Sequence, residues 1–263
     1  AVTAAIGRSS ADDTGNWDTG ALPVDGDDIV IQRGSGSLLY GLAQSGVTPA
    51  TLTQPAEFEG YVGLHAQNTD VVALPYNEYR ATAYTLGNSG DATNFIVTIG
   101  QGTGDGSRRC NYDFGTGQYT ATVYKTGARQ LSGVPPCLID GTHASASLTI
   151  HRGDCGIGIY GGASVLATCN IGYITSQATD AVLTCGEAVV LSGCTWTQTG
   201  GTAYTQTQMG TTDVLGGTLT VQGAGALSTL NIDGTVNWES TGTMTTCTVR
   251  SGGTLNCNGN AGG

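Results

Sequence analysis

The apolar positions of this chain fall into short runs of period two, and in its second half the runs repeat. Val165-Leu166-Ala167-Thr168-Cys169-Asn170-Ile171 returns as Val190-Leu191-Ser192-Gly193-Cys194-Thr195-Trp196. It returns again as Ala226-Leu227-Ser228-Thr229-Leu230-Asn231-Ile232 and as Thr243-Met244-Thr245-Thr246-Cys247-Thr248-Val249. Between copies sits a second phrase: Gly217-Thr218-Leu219-Thr220-Val221, Gly234-Thr235-Val236-Asn237-Trp238 and Gly253-Thr254-Leu255-Asn256-Cys257. Its Gly-Thr steps are 17 and 19 residues apart (234 − 217 and 253 − 234). Alternation predicts strands. Two strands per short repeat predict an all-β fold, a right-handed parallel β-helix whose coils bury their apolar faces on one another. The core ladder should then comprise Leu166, Cys169 and Ile171, followed by Leu191, Cys194 and Trp196. Leu227, Leu230 and Ile232 continue it, and Met244, Cys247 and Val249 end it.

The first half is less regular. Residues 94–100 and 119–124 alternate like strands, and Asp25-Gly26-Asp27-Asp28-Ile29-Val30-Ile31 reads as a tight turn entering a buried strand. All six prolines lie at or before position 136, and proline lacks the N–H that a coil-to-coil ladder requires. Three segments of one continuous solenoid follow: a cap and anchoring region over 1–60, irregular early coils over 61–145, and a regular stack over 146–263. Trp17 and Pro23 are placed to cover the open edge of the first coil. Arg8, Arg33 and Arg80 supply the positive charge available there for docking.

Forty-three glycines and 11% charged residues fit many tight turns rather than helices. The net charge is −11 with a single lysine, Lys125, which argues against nucleic acid as a partner, since phosphate contacts need Lys or Arg. The absence of a run of 18 apolar residues argues against a membrane-spanning helix. The N-terminal residues lack the basic and apolar regions of a signal peptide, so synthesis in a cytoplasm is the expectation. The eight cysteines read as buried thiols packing as small hydrophobes. Disulfides are the second reading, with Cys110 and Cys137 the favoured pair, and zinc spacing is missing.

Candidate chemistry is thin. Asp25, Asp27 and Asp28 form the densest acid cluster, but acids before a strand form turns, and neither a calcium loop nor a glycosidase pair accompanies them. Lys125 stands at a strand edge, and His65, His143 and His151 have no nucleophile in a recognisable elbow. Arg152-Gly153-Asp154 spells an integrin-type tripeptide inside a tight turn. Thr195-x-Thr197 and Thr218-x-Thr220 resemble the threonine rows of ice-binding solenoids. Spacing that drifts through 17, 19 and 25 residues (194 − 169) predicts that such a lattice is not kept, leaving ordinary strand propensity. No catalytic residue, cofactor or metal is expected.

The Trp17 loop, the Pro23-x-x-Gly26-Asp27-Asp28-x-Val30-Ile31 strand, Phe58-Glu59-Gly60-Tyr61-Val62-Gly63-Leu64 and Tyr76-Asn77-Glu78-Tyr79-Arg80 carry a resemblance over roughly the first hundred residues. The chain resembles virion-associated β-helix proteins of tailed bacteriophages, of the capsid decoration or cement type. That implies a non-enzymatic structural protein on the virion surface, with capsid or other virion proteins as partners. A symmetric homo-oligomer, a trimer by preference, is expected because the small C-terminal tail cannot cap the last coil. The competing expectations are a tailspike-like carbohydrate-binding or -cleaving protein, and a bacterial surface adhesin or ice-binding solenoid. Asp180, Glu187, Asp213, Asp233 and Glu239 are the acids a carbohydrate cleft would draw on.

Overall fold

The computed structural model describes residues 10–32, 36–63, 82–87, 93–130, 133–159, 163–172 and 180–257. Arg8, Arg33 and Arg80, with Tyr76–Arg80 as a whole, lie outside them. The chain winds as a parallel β-solenoid of two long sheets. The larger joins β1 (Asp28–Val30), β2 (Thr51–Pro55), β4 (Phe95–Gln101), β6 (Tyr119–Val123) and β8 (Ser147–Ile150). It continues through β11 (Thr168–Ile171), β13 (Val189–Gln198), β15 (Met209–Val214), β17 (Leu227–Ile232) and β19 (Met244–Val249), with β10 (Ser164–Val165) beside β13. The smaller joins β3 (Tyr84–Thr85), β5 (Cys110–Asp113), β7 (Cys137–Asp140), β9 (Asp154–Ile157) and β12 (Val182–Cys185). It ends with β14 (Thr202–Thr205), β16 (Thr218–Val221), β18 (Thr235–Trp238) and β20 (Thr254–Asn256). Neighbours in each sheet come from successive coils, so both sheets run continuously across the three segments of the sequence reading.

In a parallel in-register ladder, inward side chains stack into columns. Ile29, Leu52, Val97, Ala121 and Leu148 form the first half of one column. Cys169, Trp196, Thr212, Leu230 and Cys247 complete it. Across the interior, Val62, Cys110, Cys137, Cys155, Leu183 and Ala203 stack in turn. Each coil therefore contributes only a few inward side chains, which is how 39% apolar residues suffice for a dry core. The early coils bury aromatics instead: Phe114 packs at 4.8 Å from Tyr119 and edge-on at 5.1 Å from Phe95.

Two ladder expectations need correction. The phrase places Cys194 above Cys169, but Cys169 pairs with Trp196. Val165 does pair with Val190, and Thr168 then pairs with Thr195. The later coil therefore carries two extra residues between these points, which form a bulge. Cys194 sits at that bulge and is still buried. At the far end, Met244, Cys247 and Val249 keep their register beneath Leu227, Leu230 and Ile232. They are not buried core: Met244 is half-buried, Cys247 is exposed and Val249 is 48% exposed, because β19 has no further neighbour among the described residues. The other nine ladder residues named from the sequence are buried.

The cap builds on Ser10 and Ala11, which bridge to Tyr40, and on a 3-10 turn at Thr14–Asn16. Trp17 donates its indole N–H to the Ala11 carbonyl (2.9 Å) and packs against the edge of the core, and Pro23 is buried.

Thr212 is the weak rung. It lies in the apolar column between Trp196 and Leu230, fully buried, with no hydrogen-bond partner for its hydroxyl among the described residues. Burying an unpaired hydroxyl costs about 1–3 kcal/mol. Thr212→Val keeps the shape and removes that cost, so its unfolding midpoint in urea is expected to rise, by about 1 kcal/mol of stability. A lowered midpoint would show that the hydroxyl has a partner.

All eight cysteines are thiols, including the expected bridge partners Cys110 and Cys137, which are register neighbours in one column with Cys155. Burial pushes the thiols of Cys185 and Cys194 up to about 12 from an ordinary 9.0. The unfolded chain thus loses these protons first. Their contribution to stability is complete below pH 9.0 and declines as pH climbs from there towards about 12. Native alkylation at neutral pH should label Cys247 and Cys257, the two exposed cysteines, and spare the six buried ones. Mass spectrometry of the adducts checks this, and fast labelling of Cys137 would contradict the core assignment.

Candidate functional site: the capped end and the outward faces

The acids of the Asp25–Asp28 turn diverge. Asp27 accepts the Val24 N–H at 2.9 Å, Asp25 accepts the Thr48 N–H at 2.7 Å, and Asp28 accepts the Thr51 hydroxyl at 2.7 Å. Asp27 closes the turn itself while Asp25 and Asp28 tie it to the next coil, so the three do not converge on one point. A cleft of about 450 Å³ opens between the cap and the first coil, lined by Trp17, Asn16, Asp18, Asp28, Gln32 and Leu38. Val30, which also lines it, is 50% exposed, and in the preceding turn Leu22 is 41% and Val24 61% exposed.

The scattered acids engage their neighbours. Asp180 pairs with Arg152 (3.2 Å), Asp233 with Arg250 (2.8 Å), Glu239 accepts from Gln222, and Asp213 accepts from Asn231. Glu187 is exposed. Within Arg152-Gly153-Asp154, Asp154 is gripped by Arg129 through both carboxylate oxygens while Arg152 turns to Asp180, so neither charge of the tripeptide is presented alone. Lys125 donates to the Gly104 carbonyl (2.8 Å). His143 accepts from the Ser145 N–H, and His151 stacks on Tyr124, where burial lowers its pKa. His65 lies outside the described residues.

Sequence reasoning missed one carboxyl. Asp140 is the register partner of Asp113 and is mostly buried, which raises its pKa although the Gly158 N–H (2.6 Å) and the Ser164 hydroxyl (2.9 Å) donate to it. These bonds close the turns between successive coils. Among the described residues no group of three or more His, Cys, Asp or Glu is arranged to hold a metal ion.

The extent of the threonine rows was also not legible. On the outward side of the larger sheet, two columns run over nine rungs. One passes Thr168, Thr195, Thr211, Thr229 and Thr246 without interruption. The other passes Thr53, Thr98, Thr122 and Thr149. From β2 to β19, thirteen of the eighteen outward positions are threonine; the others are Ile96, Ser147, Asn170, Asp213 and Asn231. Contrary to expectation, drifting coil length does not put the Thr195–Thr197 row out of register, while Thr218 and Thr220 lie on the smaller sheet with Thr220 buried. The surplus residues go into connections and into the Leu191–Thr195 bulge, so strand register is held.

No family model, curated protein or solved structure matches this chain. The fold and its surfaces therefore carry the functional reading. The described residues contain no helix long and apolar enough to cross a membrane.

Proposed function

We propose that this chain is a structural, non-enzymatic component of a larger assembly: a β-solenoid that decorates or cements a bacteriophage particle through its capped end. One observation carries the reading. Trp17 packs against the core and Pro23 is buried, yet Leu22, Val24 and Val30 stand exposed within nine residues of chain. Exposed apolar side chains rimmed by polar ones offer a surface for docking, and these three are the exposed large apolar residues among the described residues of the cap. The stack behind the cap suits a load-bearing role, because each opened rung must break bonds to both neighbours. The resemblance of the Trp17 loop and the Pro23–Ile31 strand to virion-associated β-helix proteins supports a particle as the partner. A homotrimer is the favoured assembly, and light scattering of the purified chain gives its mass directly.

The test is binding to purified particles lacking the protein. Added chain should co-sediment with the shell and gold label should coat the capsid in negative stain. Leu22→Ser with Val24→Ser should remove binding while far-UV circular dichroism is unchanged. Label on tail fibres, or none on the particle, would overturn the proposal; release of reducing sugar from host polysaccharide would favour a tailspike instead.

A further inference from the structure

We propose that the outward face of the larger sheet binds crystalline water, an ice surface, and that the two threonine columns are the contact. Three observations carry this, independently of what the capped end docks on. The first is periodicity in two dimensions. Threonines recur at about 4.8 Å from rung to rung, and on β2, β6, β13 and β19 a second threonine stands about 6.7 Å further along the same strand. Both spacings are close to oxygen repeats on the prism faces of hexagonal ice. The ladder that holds them is in register from β2 to β19 apart from two local irregularities, at Gln54/Pro55 and Leu191/Thr195.

The second is unspent hydrogen-bonding capacity. Among the described residues Thr195, Thr211, Thr229 and Thr246 make no side-chain hydrogen bond within the chain, and three of the four are exposed. Each hydroxyl can donate one bond and accept two. On strands that are already fixed, such groups order first-shell water at no further conformational cost to the protein.

The third is composition, which separates ice from other occupants. A protein interface is enriched in aromatic residues, Met and Arg, and sugar sites present aromatic faces. The eighteen positions hold no aromatic ring, no cation and one carboxylate, Asp213. What remains is an array of mostly threonine hydroxyls and methyls with a single charge, which suits neither a charged nor a stacking ligand.

The experiment is ice-affinity partitioning of the full chain, labelled on its amines, together with recrystallisation of ice in a sucrose film. The wild-type chain should enter a growing ice hemisphere and hold grain size constant. Thr211→Lys with Thr229→Lys places two long charged side chains mid-column and should abolish both effects, with circular dichroism unchanged. Thr235→Lys, on the smaller sheet, should retain both. Exclusion of the wild-type chain from ice, as for serum albumin, overturns the proposal. So does full activity in the Thr211/Thr229 variant, or an equal loss in Thr235→Lys.

Discussion

Trp196→Ala is expected to lower the unfolding free energy by roughly 3–5 kcal/mol, the range for a fully buried large aromatic. The indole fills the column between Cys169 and Thr212 and is 0% exposed. Neither neighbour can expand into the space, since each is fixed to its own rung by the ladder. Its N–H has no partner among the described residues, so the loss is one of packing. Trp196→Phe should therefore recover most of the stability. Circular dichroism in urea measures both, without relying on indole fluorescence. Because a solenoid couples each coil only to its neighbours, hydrogen exchange should quicken most in β11, β13 and β15 and least in β2 and β4. Uniform quickening along the stack would contradict nearest-neighbour coupling.

Gly100→Ala is the second large effect, and it acts through the backbone. Gly100 has φ +73° and is the surplus residue where Gln54 pairs with Ile99 but Pro55 pairs with Gln101. An added Cβ would fall on the carbonyl oxygen of Lys125 in the following coil. The left-handed conformation costs an L-residue about 1–2 kcal/mol, and overpacking a further 1–3. A loss of about 2–5 kcal/mol is expected, with the rungs β4 and β6 prised apart. Gly26 separates the two causes: its φ is +84°, but nothing lies within 4 Å of an added Cβ. Gly26→Ala should cost only the conformational part, about 1–2 kcal/mol. Equal destabilisation of the two variants in urea would refute the coil-to-coil contact.

Much of this architecture can be read from the residues. The Gly-Thr phrase gives the true register of β16, β18 and β20, with Thr218, Thr235 and Thr254 in line. Strands at 94–100 and 119–124 correspond to β4 and β6. Phrase matching fails at Cys194 because likeness of residues cannot locate two inserted ones; only the hydrogen-bonded ladder does. It fails differently at Cys247, where the inward direction is right and a covering neighbour is lacking. The continuity of the threonine columns was hidden for a related reason. Counted along the chain, Thr168 and Thr195 are 27 residues apart while Thr195 and Thr211 are 16 apart (195 − 168, 211 − 195), yet they occupy adjacent rungs. The Asp113–Asp140 pair left no trace, since one acid lies in a loop-flanked early coil and its partner is fixed only by the winding.

The separation of loop length from strand register makes the molecule a ruler. Reach along its axis is counted in coils, about 4.8 Å apiece, and is indifferent to how many residues each turn consumes. Gene duplication or loss of one whole turn would lengthen or shorten the protein by that fixed increment, whereas a few residues added to a connection would leave its length unchanged.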